Sequence, residues 1–336
     1  NGTTTSPVTS PALVLGGHRY RMLVGGGLHS LGLRDDGSVM AWGDDGRGQL
    51  GDDATLLDRS SPVVVSSLSN VIHIGAGYYH SLAVLEGGSL YAWGENSDGQ
   101  CGAGTPTDQP TPVYAGAGAV ESCYGGYAHS IAIRANGILA VFGRNVEGQC
   151  RVDTATTIVA PSTNIGGLRQ AAGGFGDHTL VQTAEGVIQA WGSNAQGQLG
   201  IGSTGGVSAT TVTPQAAWPV SRVIRVARGQ YHGVALKSDG TAWAWGYNAS
   251  GQAGLGTTDA YVATPAQVQL GGNRVDGIVS GADFGDHTLA LTVGGAVMAW
   301  GANAYGQVGD GTTATPRATP AIVSGLGSIR AIGVGD

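Results

Sequence analysis

Six histidines in this chain stand in one local phrase. His29, His80, His129, His178, His232 and His287 are each followed thirteen residues later by an aromatic residue and glycine. The aromatics are Trp42, Trp93, Phe142, Trp191, Trp245 and Trp300. Seven residues further stands a glutamine, at Gln49, Gln100, Gln149, Gln198, Gln252 and Gln307. Imidazole binds metals and moves protons near neutral pH, so a ring of metal ligands is the first chemistry to weigh. A metal site needs ligands that converge at bonding distance. A side chain present once per repeat is instead spread through the array. Packing and hydrogen bonding within or between repeats are therefore expected of these imidazoles, with no metal and no cofactor. Asp177-His178 and Asp286-His287, in the phrase Phe-Gly-Asp-His-Thr, set acid beside base. Neighbours on a strand point to opposite faces, which spoils a dyad. No serine in a nucleophile elbow accompanies them. No catalytic residue is assigned, and an enzyme is not favoured. Asp52-Asp53 and Asp310-Gly311 lack the spacing of a calcium loop and read as solvated turns. Asn96, Asn145, Asn194, Asn248 and Asn303 follow the aromatic by three residues and suit turns. The repeated glutamine is expected to satisfy backbone groups of a long loop.

The elements that carry this phrase repeat with it. The step between copies is 51, 49, 49, 54 and 55 residues, while the inner spacings hold in every copy. A period near fifty points to propeller blades. In the second copy, Val71–Ile74 is a short apolar segment, Ser81–Leu85 a second strand, and Ser89–Trp93 the return of a hairpin turning at Gly87-Gly88. The same turn site holds Asp36-Gly37, Asn136-Gly137, Glu185-Gly186, Asp239-Gly240 and Gly294-Gly295, most of which suit the positive φ of a tight turn. A long loop follows each aromatic-Gly, then a Pro-led outer strand at Pro62, Pro214, Pro265 and Pro320, as an edge strand tolerates. Four strands per repeat make a blade. The expected fold is all-β, one β-propeller over residues 1–336, with six complete hairpin repeats and a partial repeat at each end. Residues 1–14 echo residues 310–323. If residues 11–15 serve as an outer strand, the ring has seven blades. A six-bladed ring with redundant ends is the alternative.

Bulk composition restricts the function. Gly accounts for 61 of 336 residues and charge for only 12%, which suits many short strands and tight turns. Apolar residues make up 41% and recur in register, which excludes disorder. Net charge is −7 with a single lysine, Lys237, and no basic run, so nucleic-acid binding is not expected. No apolar stretch is long enough to span a membrane. Residue 1 is Asn, without Met or an apolar leader, which reads as a processed or excised piece. Cys101, Cys123 and Cys150 fall where Leu, Ile or Val stand in other copies, so they read as small buried apolar residues.

GYYHSLAVLEGGSLYAWGENSDGQCG, with its cousins ending WGSNAQGQLG and WGANAYGQVG, resembles the regulator of chromosome condensation repeat. The resemblance covers almost the whole chain. It implies a propeller of four-stranded blades, usually seven, and no single activity. Members include a nuclear exchange factor for a small GTPase, a plant ultraviolet receptor, parts of giant ubiquitin ligases, bacterial effectors and secreted inhibitors. The chain departs from two of these. It lacks the basic elements through which the exchange factor binds chromatin. It also lacks the tryptophan that the ultraviolet receptor places before the repeat His: Gly27, Tyr78, Tyr127, Gly176, Gln230 and Gly285 stand there.

One feature varies from copy to copy. The short loop before the repeat His carries Tyr78, Tyr79, Tyr127, Phe175, Tyr231 and Phe284, and the loop after the aromatic-Gly adds Tyr247 and Tyr305. In an antiparallel blade these loops share an edge, so the rings should gather at one face of the disc. Tyrosine-rich surfaces favour recognition. The competing reading packs the same rings between blades or into the central channel. The function expected is a non-catalytic, protein-binding scaffold of a secreted or surface bacterial protein. Guanine-nucleotide exchange on a small GTPase is one alternative, and a carbohydrate-binding or enzymatic propeller another.

Overall fold

The computed structural model describes residues 11, 14, 16–52, 56–116, 118–151, 157–163, 165–205, 207–208, 221–281 and 286–333. These form six four-stranded antiparallel sheets in chain order. Blade one is representative: Tyr20–Gly25 innermost, then His29–Arg34, Val39–Gly43 and, outermost, Arg59–Val64. In every blade the second strand begins at the repeat His. The innermost strands of the later blades are Val71–Ala76, Val120–Gly125, Leu168–Ala171, Val223–Arg228 and Val275–Ser280. Together these strands wall a central channel. The prolines fall inside the outer strands rather than at their start: Pro62 lies within Arg59–Val64 and Pro320 within Arg317–Ile322. Both strands are sheet edges, where a missing N–H costs no ladder bond. Pro214 lies outside the described residues.

The hairpin turns hold three residues, one more than the two-residue turn expected. Arg34 N–H donates to the Ser38 carbonyl and Gly37 N–H to the Arg34 carbonyl, with Gly37 at φ +80°. This is a type I turn followed by a left-handed residue, which explains why Asp, Asn or Glu can precede the glycine: only the glycine needs positive φ.

The expectation of seven blades is corrected to six. A blade is built around a hairpin, and the sequence supplies six. The echo between the two ends duplicates an outer strand only. Of residues 11–15, assigned to an extra blade, only 11 and 14 are described, and neither is in a strand. Among the described residues, the segment 329–333 runs between blades six and one. Ile329 N–H donates to the Gly295 carbonyl, as Val71 does to Gly37 and Val120 to Gly88. Ile329 and Ile332 pack on the Leu291–Val297 cluster.

The core lies between blades. Five apolar clusters each straddle two successive blades, and each contains the repeat aromatic of the later one: Trp93, Phe142, Trp191, Trp245 or Trp300. These rings are at most 2% exposed, whereas Trp42, facing the joint with blade six, is half-buried.

A polar latch accompanies the apolar contact. His29 Nε2 meets Ser81 Oγ of the next blade at 2.9 Å, His80 meets Ser130 at 2.9 Å, His129 meets Thr179 at 3.2 Å and His232 meets Thr288 at 3.3 Å. Ser81, Ser130 and Thr179 donate in turn to the main-chain carbonyls of Gln49, Gln100 and Gln149. A hydroxyl has one proton to give, so the imidazole carries its own proton on Nε2 and donates it. The Trp93, Trp191, Trp245 and Trp300 indoles donate to the carbonyls of Gln49, Gln149, Gln198 and Gln252, each at 2.9 Å. These four histidines thus bond between neighbouring blades. Burial holds His29, His80 and His232 neutral, with pKa values pushed down to about 3.

The seam between blades four and five departs from this pattern. Gly233 stands where the other blades carry Ser or Thr, and both ring nitrogens of buried His178 lack a partner among the described residues. Buried Arg228 spans this seam instead. Its Nε donates to the Ala172 carbonyl at 3.0 Å and Nη1 to the Gly176 carbonyl at 2.8 Å. Burial pulls its pKa down to about 9.

Candidate binding face

The loop before each His and the loop after each aromatic-Gly leave the same edge of the blade, as antiparallel strands require. They are laced together in all six. Asp44, Glu95, Arg144, Ser193, Tyr247 and Ala302 N–H groups donate to the carbonyls of the residues preceding the repeat His: Leu28, Tyr79, Ala128, Asp177, Tyr231 and Asp286. The glycine after the aromatic allows this approach. Gly94 has φ +97°, and a Cβ there would lie 2.4 Å from the Tyr79 carbonyl oxygen. Beyond it the long loop is organised by the repeated polar residues. Gln100 Oε1 accepts from Asp98 N–H at 2.9 Å, and Asn96 Oδ1 accepts from Cys101 N–H at 2.8 Å. The other copies repeat these bonds, so the expected loop and turn roles of Gln and Asn are observed.

The aromatic loop residues fall into groups. Tyr78 is the centre of one, with ring centroids 4.4 Å from Tyr79, 5.0 Å from Tyr127 and 5.7 Å from Phe175. Main-chain bonds from Gly27 to Tyr78 and from Tyr78 to Tyr127 join the loops of blades one to three. Tyr127 is 38% exposed, but Phe175 only 4%. Phe175 lines the central channel, which is the packing role weighed against recognition. Tyr231, 37% exposed, stands 6.3 Å from half-buried Tyr247. Tyr305 lies apart from these groups and is 59% exposed. Phe284 lies outside the described residues. Two aliphatic side chains on the same loops escape an aromatic count: Leu28, before His29, and Val146, after Phe142-Gly143, both about half exposed. Their loop positions were the signal available in the sequence.

Charge surrounds the Tyr78 group. Arg47 pairs with Asp108 at 3.4 Å and lies 4.0 Å from Glu95, and Arg144 lies 3.7 Å from Asp177. Burial raises the pKa of both Glu95 and Asp177. Gln149 Nε2 donates to Asp177 and Gln252 Nε2 to Asp286, so the acids of the two Asp-His phrases bind the preceding blade. Among the described residues, no three His, Cys, Asp or Glu side chains are grouped to hold a metal ion. No helix among them is long and apolar enough to cross a membrane. The three cysteines are free and buried, and burial raises the pKa of each thiol.

The structure of human WBSCR16 superposes with TM-score 0.84 at 22% identity, over 97% of this chain and 87% of that one. Prp20p of Saccharomyces cerevisiae gives 0.77 at 20% identity, over 90% and 76%. At these identities the likeness is one of fold. In sequence, pim1 of Schizosaccharomyces pombe is 36% identical over 112 residues, which is 29% of this chain and 21% of pim1. The match thus spans about a fifth of that relative's length. The Regulator of chromosome condensation (RCC1) repeat matches residues 36–84, 87–133, 185–236 and 239–291, more than half of the chain, and a second form of the repeat matches 71–100, 223–252 and 285–307. A chain whose blades carry this repeat over most of their length, on the same propeller, belongs to the regulator of chromosome condensation repeat family.

Proposed function

We propose that this propeller is a non-catalytic scaffold that docks a protein on its loop face. The observation that carries the reading is the exposure of Tyr127, Tyr231 and Tyr305, with Leu28 and Val146, at one edge of the blades. Aromatic anchors within a charged rim are the usual makeup of a recognition surface. The repeated His, Asn and Gln side chains, His178 apart, are engaged in seams and loops, which supports a structural role for the chemistry that first drew notice. The expected secreted or surface location draws no support from the relatives found. Exchange on a small GTPase stays the second reading, because the reported structure of Prp20p concerns its binding to Gsp1p and histones.

A photo-crosslinking residue placed at Tyr127, Tyr231 or Ile224 tests the face. Ile224 is exposed on the innermost strand of blade five, away from these loops. A partner should be captured from positions 127 and 231 and not from 224. With that partner purified, Tyr127→Ala and Tyr231→Ala should each weaken binding at least tenfold, about 1.4 kcal/mol, without changing the fold. Capture from 224 alone would refute the reading. A nucleotide-release assay with the captured partner separates scaffold from exchange factor.

A further inference from the structure

The central channel has a volume of about 610 Å3 and is walled by the first strands of the blades and by residues 330–333. Phe175 and a set of glycines line its loop-face end. Among the described residues, the lining includes three arginines, Arg21, Arg225 and Arg330, and no Asp or Glu. The chain as a whole has 23 acidic and 16 basic residues, so this concentration of one sign runs against the overall charge. All three arginines are exposed. Arg21 Nη2 donates to the Val71 carbonyl, which fixes its guanidinium at the wall. Neither Arg225 nor Arg330 pairs with a carboxylate among the described residues. The carboxylates on the neighbouring innermost strands, Glu121 and Asp276, are exposed but do not line the channel.

Like charges around a concave, low-dielectric wall focus their field and raise the local concentration of counter-ions. Guanidinium presents a planar fork that fits phosphate and carboxylate oxygens two at a time. The volume falls in the range of small-molecule sites, ~300–1,000 Å3. We propose that the channel binds a small multivalent oxyanion, of phosphate or polycarboxylate type, between Arg21, Arg225 and Arg330. This site is separate from the loop face and does not depend on it.

Calorimetric titration of the whole chain with tripolyphosphate and with citrate, at low ionic strength, tests the proposal. One anion or both should bind saturably at one site per chain, and added sodium chloride should weaken the binding. Preference for tripolyphosphate identifies a phosphate-type ligand, and preference for citrate a polycarboxylate. Arg225→Gln with Arg330→Gln should lower the affinity at least tenfold. Arg274→Gln, an exposed arginine off the channel, should leave it unchanged. The single variants at 225 and 330 give the same test should the double variant fold poorly. No saturable binding of either anion, or equal affinity in wild type and in the channel variants, would overturn the assignment.

Discussion

Most of the repeated side chains have a partner that explains their recurrence, His178 being an exception. The indole of Trp93 fills the seam and donates to the Gln49 carbonyl, which Ser81 also serves. Trp191→Ala should cost ~3–5 kcal/mol, as large core truncations do. Trp93→Phe should cost only ~1–2 kcal/mol, mainly the lost hydrogen bond, because Phe142 already fills the equivalent place in blade three. Urea denaturation of the two variants decides this, and equal losses would refute it. Gly233 provides a stricter case. Restoring the hydroxyl of the other blades with Gly233→Ser looks favourable from the repeat pattern. A Cβ there, however, lies 2.5 Å from Trp245 Cε2, because the indole occupies the space the side chain would take. The substitution should destabilise by ~1–3 kcal/mol, the usual cost of overpacking, and a stabilised variant would show that Trp245 can retreat. The departure was visible in the sequence as His-Gly among His-Ser and His-Thr pairs. Its consequence for Arg228 was not, because the carbonyls that Arg228 reaches are more than fifty residues away.

At the scale of elements, the sequence was most informative where local rules act. Alternation, Gly-containing turns and the step between copies locate the first three strands of blade two to within two residues, since pleat and turn geometry are short-range. Loop exposure was less legible. Phe175 and Tyr127 have similar places in the sequence, yet one is buried and the other exposed. Neighbouring blades, and not the loop itself, decide which ring is covered. The glycine that follows the aromatic links the two levels, since its positive φ lets the third strand leave under the loop before the His. Gly94→Ala should therefore cost ~2–4 kcal/mol, in the range of severe single substitutions. Thermal unfolding should show a loss well above that of Gly87→Ala, where a Cβ meets open space. Equal effects would mean that the backbone approach is not what matters.

For the whole molecule, stability is a sum over seams that depend on neutral imidazoles. His29, His80 and His232 have folded pKa values near 3 against 6.5 when exposed. Between these values the unfolded chain binds protons that the folded chain excludes. Stability should be level above pH 7 and fall as pH drops from about 6.5 toward 3, by about 1.4 kcal/mol per pH unit for each such histidine. Asp45, raised to about 6 by burial, acts in the opposite sense, as do Glu95 and Asp177, but the histidines that burial lowers, His73, His129 and His178 among them, outnumber these carboxyls. Urea midpoints at pH 8, 7, 6 and 5 test the trend, and a flat profile would contradict it. The number of blades was the part of the architecture the sequence described worst. The echo between the ends repeats an outer strand, and an outer strand does not specify a sheet without its hairpin. A chain of near-identical blades also faces a hazard while folding, since any blade could stack on the wrong neighbour. Arg228 discriminates against such errors. In blade four its guanidinium meets the Ala172 and Gly176 carbonyls beneath a glycine-rich loop. A stacking that buried this guanidinium without such acceptors would be costly, and that cost disfavours the misfit.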